Sequence, residues 1–231
     1  MKKVGLIGGL SWQSSVDYYS IINEESNKRL GGKHTVESIM YSTNLGRKYG
    51  LVDEGKMDVL AEEFTDIAQS LEKAGADVII ICSNTMHAVF DEVQRNVNIP
   101  MIHIVDATAQ AIQKRGMKKV ALLGTTYTMT QPFYKEKLKN KYGIETIVPS
   151  DEQMTEIMHV IEEELNYNVL RDKSRKYFIS VINELKEQGA EGVILGCTEI
   201  PMLVKQKDST LPVFDTTRLH ALAALDYAME E

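Results

Sequence analysis

The sequence predicts an α/β fold of two pseudo-symmetric, doubly wound lobes, each built on a parallel sheet. Short apolar strands alternate with amphipathic helices along the whole chain. Strands that alternate with helices in this way form parallel sheets covered on both faces. The second half also repeats the first in order: KKVALLG at residues 118–124 echoes KKVGLIG at residues 2–8. Ordered repetition of this kind indicates duplication.

In the first half, the predicted elements follow one another closely. A strand over residues 4–7 is closed by Gly8 and Gly9, and Ser11 is placed to cap a helix that continues to about Leu30. The next predicted elements are a strand over 37–41, a polar loop over 42–55, a helix over 57–73, a strand over 78–81, a helix from Thr85 to about Arg95, a strand over 101–104 and a helix from Asp106.

Matching segments of the two halves recur at a nearly constant distance, as in Gly75 and Gly189, which are 114 residues apart. We therefore predict a first lobe of residues 1–104 plus a C-terminal helix over 215–231, and a second lobe of residues 105–214. Catalytic loops of such sheets follow the carboxyl ends of the strands. The predicted active site accordingly lies in the cleft between the lobes.

Composition excludes several classes of partner. The chain of 231 residues carries a net charge of −7, which leaves no basic surface for a nucleic acid. No apolar run approaches the length of a membrane span, so no membrane partner is expected. Two cysteines make no disulfide framework, and we predict a cytoplasmic protein.

Two strands each end in a cluster of polar residues. Residues 193–195 run into Gly196 and then Cys197, and residues 78–81 run into Cys82 and Ser83. A thiol before a helix meets the positive end of the helix dipole, which is expected to lower its pKa. Two acid/base groups facing a small acid suit removal of a Cα proton on one face and its return on the other. This chemistry is racemisation without a pyridoxal ring.

Three motifs carry a family resemblance: GLIGGLSW at residues 5–12, NTMH at 84–87 and GCTEIP at 196–201. With them the chain resembles the aspartate/glutamate racemase superfamily over essentially its whole length. Glu199 after Cys-Thr is similar to the aspartate racemase-like branch. The resemblance implies two pseudo-symmetric lobes, no cofactor, no metal, a homodimer, and a catalytic pair with one member from each lobe.

The resemblance assigns the catalytic pair to Cys197 and to the residue before Asn84. The family pattern has cysteine there, whereas this chain has Ser83, with Cys82 one residue earlier. Successive strand side chains point to opposite faces, so we predict that Ser83 faces the site and Cys82 is a small buried hydrophobe. A local bulge would instead make Cys82 the acid/base. The family pattern assigns Cys197 to the L-enantiomer, so Cys197 removes the proton and Ser83 returns one.

The predicted substrate is a small acidic amino acid. Arg47 resembles the arginine with which aspartate racemases bind the side-chain carboxylate, and its alternative is a solvated loop residue. The lysine of the branch's second lobe aligns with Tyr167, which leaves aspartate, glutamate and a broader range open. The other candidate substrate-binding residues are Leu10, Ser11, Asn84, Thr85, Thr125, Thr126, Thr198 and Glu199.

Other functions remain open at this stage. A related cofactor-free enzyme, such as a decarboxylase or an isomerase of small acids, needs only one cysteine, and a non-catalytic binder of small acids needs none. His87 is placed to tune Ser83 or to form a structural hydrogen bond. The other histidines, His34, His103, His159 and His220, have no spacing typical of a zinc site.

Overall fold

The computed structural model of the protein describes residues 1–230, which form eight strands and eleven α-helices. The strands are β1 (Val4–Gly8), β2 (Ser38–Ser42), β3 (Val78–Ile81), β4 (Met101–Ile102), β5 (Lys119–Gly124), β6 (Glu145–Ile147), β7 (Gly192–Gly196) and β8 (Val213–Asp215). The helices are α1 (Trp12–Leu30), α2 (Leu45–Asp53), α3 (Met57–Lys73), α4 (Phe90–Arg95), α5 (Ile104–Lys114), α6 (Thr126–Thr130), α7 (Pro132–Tyr142), α8 (Asp151–Glu163), α9 (Asp172–Glu187), α10 (Ile200–Leu203) and α11 (Thr216–Met229). Short 3₁₀ helices cover Thr85–Val89, Leu165–Tyr167 and Gln206–Asp208.

These elements form two compact units. The first combines Met1–Ile104 with the stretch that begins at Thr217, and the second is Val105–Thr216. Each unit has one four-stranded parallel sheet, with strand order β2-β1-β3-β4 in the first and β6-β5-β7-β8 in the second. The two orders are equivalent, strand for strand, as expected for a duplicated chain. The predicted α/β class with two parallel sheets is confirmed.

In the first unit, alternate side chains of the central strands pack on opposite sides of the sheet. Ile7, Ile79 and Ile81 lie in an apolar cluster with residues of α3 and α4. Leu6 and Ile80 lie in a second cluster with residues of α1 and α11. Because both faces are covered, the central strands β1 and β3 are buried throughout, and polar side chains follow where these strands end.

One predicted element is wrong: residues 42–55 are not a loop but contain α2. The Asn44 side chain caps this helix by accepting a hydrogen bond from the Arg47 amide over 3.0 Å. Leu45, Tyr49 and Val52, spaced four and three residues apart, are partly buried against the core. Tertiary packing of this face overrides the low helix propensity of the glycines within it.

Other predicted bounds differ by a few residues. The helix expected from Thr85 begins as the 3₁₀ turn Thr85–Val89 and becomes α-helical only in α4. The strand expected over 101–104 ends at Ile102, and α5 begins at Ile104 instead of Asp106. The α3 and β3 bounds are as predicted.

In the second unit, two glycines face each other where β5 and β7 end. Gly124 is the register partner of Gly196. A Cβ at Gly196 would lie 2.9 Å from Leu122 Cδ1 and 3.0 Å from the Leu123 carbonyl oxygen, and one at Gly124 would lie 2.8 Å from the Gly196 carbonyl oxygen. Side chains at these positions would push the strand ends apart. The glycines therefore fix the position from which Cys197 leaves the sheet.

Among residues 1–230, no helix is both long enough and apolar enough to cross a membrane.

His220 of α11 is fully buried in the first unit between two polar partners. The Tyr18 hydroxyl donates to His220 Nδ1 over 2.9 Å, and His220 Nε2 donates to the Ile102 carbonyl oxygen over 2.8 Å. The roles follow because a carbonyl oxygen only accepts, so Nε2 carries the ring proton. The ring also packs edge-on against His87, with 5.3 Å between centroids. Burial lowers the pKa of His220 to about 4.

We expect His220 to make the protein less stable as the pH falls. The unfolded histidine protonates near pH ~6.5, whereas the folded pKa is about 4. Between these values the unfolded state binds more protons, so the free energy of unfolding decreases with falling pH, by about 3 kcal/mol in total. Urea unfolding across this window should show a weaker pH dependence for His220→Gln than for the wild type. His159→Gln is the control, because His159 is exposed; an unchanged slope in His220→Gln would contradict the prediction.

Candidate active site

Cys82 and Ser83 follow β3 and differ in their surroundings. The Cys82 side chain is fully buried in the apolar cluster that contains Val78 and Ile80, which are four and two residues earlier. It therefore continues the face of the sheet that packs on α1 and α11. Burial raises the pKa of the Cys82 thiol far above its ordinary range. A thiol held in this way is a packing residue, and this arrangement favours Ser83 as the reactive position.

His87 holds the backbone of Ser83. The Ile104 amide donates to His87 Nε2 over 3.1 Å, so Nδ1 carries the proton and donates to the Ser83 carbonyl oxygen over 2.6 Å. His87 is buried, and its ring stacks on Phe90 with 5.4 Å between centroids. These contacts tie the residue after β3 to the start of α5. The contact is to the Ser83 carbonyl, which favours the structural role for His87 over tuning of the hydroxyl.

Cys197 and its two successors form a hydrogen-bonded cluster in the second unit. The Cys197 thiol donates to Glu199 Oε2 over 3.0 Å, and the Thr198 hydroxyl donates to the same oxygen over 2.8 Å. All three residues are buried. The other carboxylate oxygen, Glu199 Oε1, is buried and has no hydrogen-bond partner within residues 1–230. One oxygen of the Glu199 carboxylate thus accepts hydrogen bonds from the Cys197 thiol and the Thr198 hydroxyl, and the other oxygen can accept a further hydrogen bond.

The expected effect of a helix dipole on Cys197 is wrong. Burial raises the pKa of the Cys197 thiol well above its ordinary value, and the neighbouring Glu199 charge raises it further. The following helix, α10, has only four residues, so its dipole is weak. Hydrogen bonds from the Glu199 and Ile200 amides oppose the increase without overcoming it. The Cys197 thiol thus lies within hydrogen-bond reach of a carboxylate that can accept its proton.

The turn after β1 has an unusual backbone at Ser11. Ser11 has φ 77°, a value that L-residues rarely adopt, while its hydroxyl oxygen accepts from the Ser14 amide over 3.3 Å and caps α1. Just before it, the Gly9 amide donates to the Ser15 hydroxyl over 2.8 Å. Leu10 is buried in the apolar core, so only its backbone is placed to meet a ligand. Strained residues of this kind cluster at functional sites.

The corresponding turn after β5 differs in detail. Thr125 is buried and caps α6, accepting from the Thr128 amide over 3.2 Å, whereas Thr126 is exposed. In the first unit, Asn84 and Thr85 are buried at the start of the 3₁₀ turn after β3. Apart from Arg47, which follows β2, the predicted residues of each unit follow two neighbouring strands, β1 and β3 or β5 and β7.

Arg47 lies in α2 and not in a loop. Its guanidinium forms an ion pair with one oxygen of Glu63 on α3, and the Lys48 ammonium pairs with the other oxygen. Lys48 and Arg47 hold the pKa of Glu63 below its ordinary value. Tyr167, which occupies the position aligned with a family lysine, is 73% exposed.

The sequence analysis missed Lys48 and Glu63 as possible site residues. Interpreting residues 42–55 as a loop hid the fact that Lys48 is on a packed helix. The spacing of Leu45, Tyr49 and Val52 was the signal that could have revealed it. In the described part of the chain, no group of three or more His, Cys, Asp or Glu side chains is arranged to hold a metal ion.

The two units have equivalent four-stranded parallel sheets, and the buried residues Ser83 and Cys197 follow the central strands β3 and β7. The chain belongs to the Asp/Glu/Hydantoin racemase family, whose sequence pattern matches residues 7–224.

Several known proteins are similar to this chain. The broad specificity amino-acid racemase RacX of Bacillus subtilis is 28% identical over 160 residues, which cover 69% of this chain and 68% of RacX. The crystal structure of a candidate Asp/Glu racemase from Yersinia pestis is 44% identical, with a TM-score of 0.94 and full coverage of both chains. An aspartate racemase homologue from Pyrococcus horikoshii is 40% identical, with a TM-score of 0.86 and full coverage of both chains.

Ser11→Gly and Ser11→Ala should have opposite effects on stability. Glycine adopts a positive φ without strain, so Ser11→Gly should gain about 1 kcal/mol or more of stability. As a helix cap, glycine costs only a few tenths of a kcal/mol relative to serine. Alanine keeps the backbone strain and removes the capping hydrogen bond, which should cost about 1 kcal/mol of stability. Urea unfolding should therefore rank glycine above wild type and wild type above alanine. Equal destabilisation by both substitutions would show that the backbone at Ser11 is not strained.

Glu199→Gln should lower the pKa of the Cys197 thiol, because it removes the adjacent negative charge that raises it. The pKa can be measured from the ultraviolet absorbance of the thiolate as a function of pH, with Cys197→Ser as the blank. Cys82 should contribute little signal, since its thiol is fully buried. A pKa that stays the same or rises in Glu199→Gln would be inconsistent with the charge effect.

Proposed function

We propose that this protein is a cofactor-independent racemase of an acidic amino acid, aspartate or glutamate. The observation that carries the proposal is the hydrogen bond from the Cys197 thiol to the Glu199 carboxylate, at 3.0 Å, in a member of a racemase family. The thiol follows the end of a central strand, where α/β proteins collect their catalytic groups. No pyridoxal phosphate takes part in the proposed reaction.

In the proposed first step, Cys197 removes the Cα proton of the L-enantiomer. A thiol must first lose its own proton, and Glu199 Oε2 is the acceptor within hydrogen-bond reach. The proton moves from Sγ to the carboxylate, and the Sγ electron pair then takes the Cα proton. The bond from Cα to hydrogen breaks, and its electrons spread into the substrate carboxylate as an enediolate. The transfer neutralises Glu199 and so removes the adjacent charge that adds to the high pKa of the thiol.

In the second step, Ser83 gives a proton to the opposite face of Cα and recovers one from water. Glu199 releases the proton that it took from the thiol, which neutralises the hydroxide left by the water, so the enzyme returns to its starting state. A serine hydroxyl is a much weaker acid than a thiol, so it is a usable donor and a poor base. His87 fixes the Ser83 carbonyl and so limits the positions that the hydroxyl can take. This asymmetry makes turnover from the L-enantiomer faster at saturation. The values of kcat/KM stay equal, because the two enantiomers have equal free energy.

The remaining residues are proposed to bind the substrate. Backbone amides at Leu10 and Ser11, together with polar side chains that follow the other central strands, suit the amino and carboxylate groups. The Arg47 guanidinium suits a second carboxylate. The proposed set also includes Asn84, Thr85, Thr125, Thr126, Thr198 and Glu199. A homodimer and a cytoplasmic location stay predictions from the sequence.

One observation favours a second candidate function. A Cys197 thiol that keeps its proton is suited to protonating a single face of a carbanion, as in the decarboxylation of a small acid. Such an enzyme would release carbon dioxide and would not invert an amino acid. The experiment below separates the two functions.

Cα hydrogen exchange in D2O, followed by NMR on L- and D-aspartate and glutamate, tests the proposal without added pyridoxal phosphate. We expect exchange and inversion in the wild type. Cys197→Ser should reduce both by at least about 100-fold. Ser83→Ala should abolish inversion, and any exchange that remains should retain the L configuration, because Cys197 can return a solvent deuteron to the same face.

Cys82→Ala is the matched control and should keep inversion. Loss of inversion in Cys82→Ala but not in Ser83→Ala would move the second acid/base to Cys82. Equal kcat values for the two enantiomers would contradict the proposed asymmetry between thiol and hydroxyl. A wild type that exchanges none of these acids would exclude the racemase and favour the decarboxylase or a binder.

A further inference from the structure

Glu63 bridges two cations in the first unit. One of its carboxylate oxygens contacts the Arg47 guanidinium and the other contacts the Lys48 ammonium. Both cations come from successive residues of α2, and Glu63 lies on α3. The guanidinium that is proposed to bind a substrate carboxylate is therefore already paired with a carboxylate of the chain itself.

The two ion pairs differ in how firmly they are held. The Lys48 side chain is only 5% exposed and its ammonium lies 5.4 Å from the centroid of the Phe64 ring. A buried ammonium without a partner is strongly unfavourable, so Lys48 needs Glu63. The Arg47 side chain is 71% exposed, and an exposed ion pair contributes little net stability. Arg47 can therefore leave Glu63 at small cost, while Lys48 cannot.

These residues line a cavity of about 400 Å³. Its wall includes the end of β2 and the start of α2, and its charged residues are Arg47, Lys48, Glu63 and Asp66. Two cations and two anions leave no net charge. The cavity thus contains a guanidinium that can pair with the side-chain carboxylate of a substrate, but its net charge does not attract an anion.

We propose that Glu63 is a specificity-determining residue, which competes with the side-chain carboxylate of the substrate for Arg47. An acidic substrate must displace Glu63 from the guanidinium, whereas an uncharged substrate of the same shape leaves that pair intact. Glu63 therefore lowers the preference for acidic over neutral amino acids. This inference rests on the proposed function, because it takes Arg47 as the group that binds a second carboxylate.

The specificity ratio between L-aspartate and its neutral isostere L-asparagine tests the proposal. Glu63→Gln keeps an oxygen that can accept from Lys48 but removes the charge that competes for Arg47. We expect this substitution to raise the kcat/KM ratio of aspartate to asparagine about fivefold, as for the loss of one exposed ion pair. The gain should shrink at high salt, since screening weakens attraction between exposed charges.

Two control variants separate competition from other effects. Glu62→Gln changes the neighbouring, exposed residue of α3 and should leave the ratio unchanged. Asp66→Asn removes a charge from the same cavity without touching the pair between Arg47 and Glu63. An equal increase in Asp66→Asn and Glu63→Gln would show a general charge effect and overturn the proposal. An unchanged or lower ratio in Glu63→Gln would also overturn it, since Glu63 would then only hold α2 to α3.

A binding measurement keeps this test separate from the test of the racemase. Calorimetric titration with succinate and with its monoamide, succinamate, needs no turnover. Glu63→Gln should strengthen binding of succinate relative to succinamate by a similar factor. If the wild type racemises nothing, the proposed function fails, yet this ratio still reports whether Glu63 competes for Arg47. If Glu63→Gln and the wild type have the same ratio of succinate to succinamate affinity, Glu63 does not compete for Arg47, even if the protein is an active racemase.

Discussion

The burial of the central parallel strands is the constraint on which the rest of the structure depends. In the first unit, one face of the sheet packs on α3 and α4 and the other on α1 and α11. A strand buried on both faces must be apolar throughout, so reactive side chains can only stand where strands end. The same constraint makes Cys82 a packing residue, because it continues the face of Val78 and Ile80, and this is why the proposed mechanism uses the next residue, Ser83. The thiol of the second unit likewise follows directly after the last residue of β7.

Burial also determines what the site residues can do. It raises the pKa of Cys197, and the adjacent Glu199 charge adds to the increase. The neighbour that makes the thiol a weaker acid is also the group within hydrogen-bond reach that can take its proton. A hydroxyl at Ser83 has no such neighbour in the proposed mechanism. The two halves of a duplicated fold therefore supply chemically unequal partners, which is why the proposed reaction is faster in one direction at saturation.

The sequence was sufficient for the features that rest on periodicity. The bounds of α3 and β3 follow from a continuous apolar pattern, and the equivalent strand order of the sheets follows from the repeated segments. It was insufficient where tertiary contacts decide. Packing stabilises α2 despite Gly46 and Gly50, and the ion pairs of Glu63 join residues fifteen and sixteen positions away, which no local pattern reveals. The pKa of Cys197 also depends on how deeply the thiol is buried, and the sequence motif at residues 196–201 does not reveal burial.

The discontinuity of the first unit has a consequence for synthesis on the ribosome. Val4 and Leu6 of β1 lie against Ala221, Ala224 and Leu225 of α11. α1 covers part of this apolar face, but the rest stays uncovered until residues 217–229 have left the ribosome, whereas residues 105–216 form a continuous unit. The second unit can therefore complete its fold first, although the first unit is translated earlier. Nascent chains therefore expose part of a hydrophobic surface from the synthesis of β4 until the synthesis of α11, and transient exposure of this kind favours aggregation.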